Sequence, residues 1–301
     1  MDELTFVDAD GIEVFYRRWI PGGDVRAIVV IVHGASEHSG RYARFAEILN
    51  REGYAVYALD LRGHGRTAAS TGPGRIGPRG MEGVLDDVGD LIGRARVEQG
   101  HCPVVLFGHS LGSLVAHAFV QAHGDAVDAY VLSATMGPTE ATPELAAGIR
   151  AAVDGGMADE PLNILDGFSG DGEATRTKFD WLSRDPDEVD KYIADPLCGD
   201  DLPLTYGFVA AMLESITVAQ QVEGIARVPK RLPVLLITGE EDPVSEKGVQ
   251  VRQVERLLRD AGLDVTAKYY PGARHELLNE TNRDEVHADV VAWLDRATSA
   301  P

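Results

Sequence analysis

Val104-Val105-Leu106-Phe107-Gly108-His109-Ser110-Leu111-Gly112-Ser113 carries an apolar run into a Gly-His-Ser-Leu-Gly turn, and a helical pattern starts at once. This is the strand–turn–helix setting that the G-x-S-x-G signature needs. A serine at the tip of so sharp a turn is crowded by backbone. Glycines at positions 108 and 112 leave room that side chains would take from the facing strand and helix. The turn exposes the serine oxygen beside a helix N-terminus, where free N–H groups hold an anion. Five-residue glycine patterns also arise by chance, but the strand before and the helix after favour an activated nucleophile. Such a nucleophile needs a base, a group that orients the base, and a second oxyanion donor.

Outward from this turn the chain alternates. Residues 3–8 and 12–19 read as strands joined by an Asp8-Ala9-Asp10-Gly11 hairpin turn. Ala27–Val32 and Tyr54–Leu59 are continuous apolar runs, the pattern of strands buried on both faces. Residues 42–52, 81–97 and 111–123 carry helical spacing, and Asp128–Ser133 is a further strand. Strands alternating with helices predict a mostly parallel sheet covered on both faces.

The rhythm breaks between residues 136 and 230. No strand pattern is found there, and three helices are predicted. One starts at Thr142-Pro143-Glu144 and closes at Asp154-Gly155-Gly156. A second starts near Ser183–Glu188, and the third runs from Leu204 to Ala219. The alternation then resumes with a strand at 233–238, a helix at 247–260, a strand at 264–270 and a helix at 283–296. Residues 1–135 and 231–301 are thus expected to form one core, with 136–230 inserted as a helical cap. Gly72-x-Gly74-x-x-Gly77 matches a dinucleotide-binding pattern in form only. No strand precedes it, prolines flank it, and no helix begins inside it.

The chain has 301 residues, 44% hydrophobic, with 28 basic and 48 acidic side chains and a formal net charge of −20. That balance argues against electrostatic binding to nucleic acid or anionic membranes. Residues 136–230 hold 18 acidic and 7 basic side chains, a net of −11, read as a solvated acidic face. Cys102 and Cys198 fit neither a zinc spacing nor a disulfide framework. The N-terminus lacks a basic region followed by an apolar stretch, and no apolar run approaches the ~20 residues of a membrane span. A cytoplasmic location is expected.

Loops at the carboxyl ends of parallel strands carry function. Four such loops are His33-Gly34-Ala35, the serine turn, Glu240-Glu241-Asp242, and Ala273-Arg274-His275. The order Ser110, Asp242, His275 is that of the α/β-hydrolases. A serine hydroxyl attacks an ester at neutral pH only if a base takes its proton. Histidine titrates in the range to do so, and a buried carboxylate fixes its tautomer. The backbone N–H groups of Ala35 and Leu111 are the expected oxyanion donors. His33, His38, His64 and His109 read as loop hydrogen-bonders. His275-Glu276-Leu277-Leu278-Asn279 lacks the second histidine of a zinc motif, so no metal or other cofactor is expected.

His33-Gly34-Ala35-Ser36-Glu37-His38-Ser39-Gly40-Arg41-Tyr42, Asp60-Leu61-Arg62-Gly63-His64-Gly65, the serine turn, Glu241-Asp242-Pro243-Val244, His275-Glu276, and the stretch from Ser183 to Leu197 together resemble the monoacylglycerol lipase and lysophospholipase branch of the α/β-hydrolases, the serine aminopeptidase S33-like family. The resemblance runs over nearly the whole chain. It implies a serine hydrolase that cleaves monoacylglycerols or related esters beneath a helical cap, with Glu37 and Arg41 at the polar end of the pocket. Ser36, where the family often has glycine, and Leu278, where mammalian members place a histidine, depart from it. Leu145, Ile149, Phe208, Leu213 and Ile216 are candidates to line an acyl tunnel. A small lipid or ester substrate and at most transient membrane or micelle contact through the cap are expected.

A short-chain esterase, an aminopeptidase, a thioesterase and a carbon–carbon hydrolase all share this scaffold, and the residues alone leave them open. The acidic cap is the feature that favours a substrate amine. A non-catalytic hydrolase-like receptor is disfavoured by the complete Ser–Asp–His set.

Overall fold

The computed structural model describes residues 1–137, 139, 142–168, 175–219 and 221–299, without the side chains of Ile216, Val218 and Ala219. The chain opens with a hairpin of β1 (Asp2–Val7) and β2 (Glu13–Trp19). Its turn is closed by Asp8, whose Oδ1 accepts from the N–H groups of Asp10 and Ile12 at 2.8 Å each. Six further strands complete the sheet: β3 (Ala27–Val32), β4 (Tyr54–Leu59), β5 (Val104–His109), β6 (Ala129–Ser133), β9 (Val234–Gly239) and β10 (Val265–Tyr270). The order across the sheet is β1-β2-β4-β3-β5-β6-β9-β10. β2 is antiparallel to both its neighbours, and the other six strands are parallel. Every residue of β3, β4 and β5 is buried, as the unbroken apolar runs require of strands covered on both faces.

Helices α3 (Gly80–Gln99), α4 (Leu111–His123) and α9 (Val249–Asp260) cover one face, through side chains such as Leu91, Phe119 and Leu258. Helices α1 (Ala43–Arg51) and α10 (Arg283–Thr298) cover the other. α10 shows why a helix forms there: Val286, Val290, Trp293 and Leu294 recur on one stripe and are all buried. Each such side chain contributes about 2 kcal/mol of burial, far more than intrinsic helix propensity supplies. α2 (Ala68–Thr71) is a single turn after β4. The Gly72 to Gly77 stretch is a loop, as the missing strand implied. Gly74 N donates to Gly63 O and Gly74 O accepts from Thr205 N.

Between β6 and β9 lie α5 (Thr142–Ala152), α6 (Pro186–Ala194), α7 (Tyr206–Ala219) and α8 (Val222–Ile225). Asp185 caps α6 by accepting from Asp187 N, with Pro186 at the first helical position. Two details differ from the sequence reading. Two-residue strands β7 (Pro161–Leu162) and β8 (Leu204–Thr205) pair antiparallel here, too short to leave an alternating pattern. The expected stop at Asp154-Gly155-Gly156 is instead a wide helical turn over Val153–Met157, with Gly156 at φ 97°. This segment has a small core of its own, with Phe179, Trp181, Leu182 and Tyr192, joined to the rest by Val244. Among the described residues no helix is long and apolar enough to cross a membrane.

Candidate active site

Ser110 stands between β5 and α4 at φ 51°, ψ −119°, a backbone conformation that non-glycine residues rarely adopt. The neighbouring backbone holds it there. Ser110 N donates to Ser133 O at 2.9 Å, and Ser110 O accepts from Ser113 N at 2.9 Å and Ser113 Oγ at 2.6 Å. A Cβ on Gly108 would lie 2.2 Å from Gly112 O, and one on Gly112 would lie 2.1 Å from Val32 O. The turn is therefore closed to any side chain at either place.

Asp242 follows β9 and is fully buried. His275 Nδ1 donates to Asp242 Oδ1 at 3.0 Å, and Val244 N donates to the same oxygen at 3.0 Å. With Nδ1 protonated, Nε2 is the acceptor nitrogen of the ring. Burial disfavours the imidazolium. The Asp242 carboxylate, aided by Glu276 and Glu37, outweighs this and holds His275 above the ordinary imidazole value. The ring packs against Trp181 and His109, with centroids 5.2 and 4.9 Å away. Burial, with His275 beside it, pushes His109 down to about 4, so His109 is neutral at physiological pH.

The histidine loop is also tied to the segment between β6 and β9. Glu276 N donates to Leu182 O at 2.7 Å, and Ser183 Oγ donates to Asn279 O at 2.9 Å. Glu280, fully buried, accepts from Arg184 N, Arg184 Nε, Arg274 N and Thr281 N at 2.8–3.1 Å. Glu280 and Trp181 carried no sequence signal, because the contacts that join them to the other segment, Glu280 with Arg184 and Trp181 with His275, span more than ninety residues of chain.

Ala35 lies in the loop after β3, and Leu111 opens α4, in the first turn whose N–H groups lack helical partners. The loop around Ala35 is fixed at several points. Gly34 N donates to Glu37 Oε1 at 2.6 Å. Ser36, at φ 52°, accepts at its carbonyl from Gly199 N and Tyr192 Oη, and its hydroxyl donates to Leu202 O at 2.8 Å. His33 Nε2 accepts from Leu61 N while Nδ1 donates to Gly34 O, so both ring nitrogens serve the backbone. Glu37 is buried, which raises its pKa. Arg41, 2.8 Å away, together with neighbouring donors, overrides this and keeps it ionised. Tyr42 Oη donates to Glu37 Oε1, and Arg41 forms a two-pronged pair with Glu276.

These loops and the helices above them enclose a cavity of about 480 Å³. Ser110, His275, Ala35, Leu111 and Glu37 line it, with Asp242 behind the histidine. Leu145 and Ile149 of α5 and Leu213 of α7 line it too, together with Leu162, Ile164 and Met212. Phe208 does not. It is buried against His64, with ring centroids 5.4 Å apart, because the cavity side of α7 is centred on Val209 and Leu213. The Ile216 side chain lies outside the described residues. Arg41 sits behind Glu37 and Glu276 and does not line the cavity. Tyr192 and Glu276, not singled out as site residues from the sequence, do.

Among the described residues His38, Asp195 and Cys198 form one group with metal-ligand spacing. His38 Nε2 already donates to Asp195 at 2.9 Å, and its Nδ1 accepts from Gly40 N, so the ring has no nitrogen left for an ion. Both cysteines are free.

An eight-stranded, mostly parallel sheet with a serine elbow after β5 defines an α/β-hydrolase, and the comparisons narrow the class. Residues 23–282 match the family described as serine aminopeptidase, S33, and the chain belongs to it. It is 32% identical to a monoacylglycerol lipase of Mycolicibacterium smegmatis, over 97% of this chain and 96% of that one. It is 28% identical to the monoglyceride lipase of Mus musculus, over 98% and 90%. A thermostable carboxyl esterase from Bacillus coagulans, solved in complex with glycerol, superposes with a TM-score of 0.92 at 28% identity, covering 99% of both chains.

Proposed function

We propose that the chain hydrolyses carboxylic esters of lipids, monoacylglycerols or close relatives, through an acyl-enzyme on Ser110. The observation that carries the reading is one cavity holding Ser110 and His275, with His275 hydrogen-bonded to buried Asp242 at 3.0 Å. The relatives named above, a monoacylglycerol lipase, a monoglyceride lipase and a carboxyl esterase, support the substrate class.

His275 Nε2 takes the Ser110 proton as Oγ attacks the ester carbonyl. The N–H groups of Ala35 and Leu111 receive the oxyanion, and Asp242 stabilises the imidazolium. Collapse of the tetrahedral intermediate expels the alcohol, protonated by His275. Water then enters by the same route and releases the fatty acid. The segment 136–230 acts as a cap over residues 1–135 and 231–301, and the acyl chain lies along Leu145, Ile149, Ile164, Met212 and Leu213. Leu145 and Met157, 54% and 40% exposed, give the cap an apolar edge suited to transient contact with a lipid surface.

The test is a matched panel: monoacylglycerols of increasing chain length, p-nitrophenyl esters, a lysophospholipid and an aminoacyl amide, each with Ser110→Ala alongside. A peak at medium or long monoacylglycerols is expected, and Ser110→Ala should lower kcat by on the order of 10⁶. Turnover of the amide alone would move the function to aminopeptidase. Retention of most activity by Ser110→Ala would overturn the nucleophile.

A further inference from the structure

Two carboxylates, Glu37 and Glu276, are among the residues that line the cavity. A methyl group placed on Gly34 would lie 2.8 Å from Glu37 Oε1 and 3.3 Å from Ser110 Cβ, which puts that carboxylate within about 6 Å of the serine. Glu276, the residue after His275, lines the same cavity. Both are nearly fully buried. No arginine or lysine is among the described residues lining the cavity. Arg41 pairs with both carboxylates from behind and also lies over the Tyr192 ring at 4.7 Å. Two carboxylates against one guanidinium give this part of the wall a formal charge of −1.

The hydrogen-bond accounting is equally one-sided. A carboxylate has about four acceptor places. Glu37 uses three, for Gly34 N, Tyr42 Oη and Arg41. Glu276 also uses three, two for Arg41 and one for Asn279 Nδ2. By this count each keeps one place, on Glu37 at Oε2, because Oε1 already takes Gly34 N and Tyr42 Oη, and on Glu276 at Oε1.

We infer that Glu276, paired with Glu37, is a specificity-determining residue for the leaving alcohol: the wall takes an alcohol that offers two hydroxyl donors, and it turns away one that carries an anionic group such as a phosphate monoester. This rests on the ester-hydrolase reading above. The chemistry follows from the site. An ionised carboxylate accepts hydrogen bonds and donates none. A diol fills both remaining acceptor places, whereas a phosphate brings further negative charge and no compensating cation. The repulsion comes from two buried carboxylates, which salt screens poorly.

The experiment compares kcat/KM for four esters of one acyl chain, all below their micelle concentrations: 1-octanoylglycerol, 1-octanoylglycerol 3-phosphate, octanoylcholine and its uncharged isostere 3,3-dimethylbutyl octanoate. The wild-type chain should prefer the glycerol ester to its phosphate by about 100-fold or more, and octanoylcholine should be cleaved at least as well as its isostere. Glu276→Gln leaves the wall neutral, so the glycerol-to-phosphate ratio should fall about tenfold. A purely structural role would lower both substrates alike and leave the ratio standing. Near-equal rates on the glycerol ester and its phosphate in the wild type overturn the inference, and they do so even if Glu276→Gln fails to fold. A folded, active Glu276→Gln with the wild-type ratio also overturns it. Turnover of none of the four esters overturns the ester-hydrolase reading, and the inference with it; turnover without discrimination overturns the inference alone.

Discussion

His275 sits where two opposing effects meet. Burial alone would make it a weak base, and the Asp242 carboxylate restores and exceeds the ordinary affinity of imidazole for a proton. The working base is the neutral ring, so activity should rise with pH along a limb whose midpoint lies above the ordinary imidazole value of about 6.5. Asp242→Asn removes the charge and disturbs the tautomer. The limb should move to lower pH, and kcat should fall by on the order of 10⁴. A pH–rate profile of both proteins checks this, and an unmoved limb would place the titration elsewhere. The neighbouring ring, His109, lies too low to supply that limb. Its place at the elbow instead fills space between Ser133 and His275.

At the scale of elements, the β1–β2 hairpin is joined to α3 through one buried guanidinium. Arg62, fully buried, contacts Asp8 at 2.5 Å, Asp10 at 2.9 Å and Asp87 at 2.7 Å. Asp10 has a second cation, Arg79, at 2.7 Å. Burial pushes the Asp87 carboxyl up to about 7, against the pull of Arg62. The folded value thus lies above the unfolded one of about 3.9, so the folded state holds an extra proton between the two. The stability this contributes is complete below about pH 4 and is lost as pH rises through about 7. Asp87→Asn should flatten that loss, by a few degrees in Tm between pH 4 and 8. Thermal melts across that range provide the comparison, and an unchanged slope would remove Asp87 from the account. The elements themselves were largely legible from pattern. The buried runs of β3, β4 and β5 and the ends of α4 follow from local rules that a sequence displays. The elbow is legible for the same reason, since Gly108, Ser110 and Gly112 lie within five residues. What escaped is non-local or ambiguous. β7 and β8 are two residues each. The cavity side of α7 is hidden because that helix is apolar nearly all round, which is why Phe208 reads as a wall residue when it packs on His64. Glu276, Glu280, Trp181 and Tyr192 gain their positions only when residues 180–202 fold down onto the loops after β3 and β10, and no spacing rule announces that.

The molecule as a whole carries its charge unevenly. Of the net −20, residues 136–230 hold −11. The same segment exposes Leu145 and Met157. An approach to a lipid surface therefore has an apolar attraction at close range and an electrostatic repulsion from any anionic bilayer. That repulsion reaches about 10 Å at 0.1 M salt and further as salt is lowered. Affinity for anionic vesicles should be weak at low salt and should rise, not fall, as salt is added. Vesicle co-sedimentation with neutral and anionic compositions tests this, and tight binding that salt abolishes would contradict it.

The ties between the histidine loop and residues 182–184 bear on re-engineering. Exchanging the 136–230 segment for a relative's is the obvious route to a new chain-length range, with the parallel sheet kept as a chassis. The seam would then run through Arg184–Glu280 and Ser183–Asn279. An imported segment without a matching cation would strand a buried carboxylate that holds the backbone of Arg274, the residue before His275. The transplantable module is therefore not contiguous. It comprises the middle segment and residues 274–281 together, and chimeras built on the first alone would start with a misaligned base however well the new acyl pocket fits.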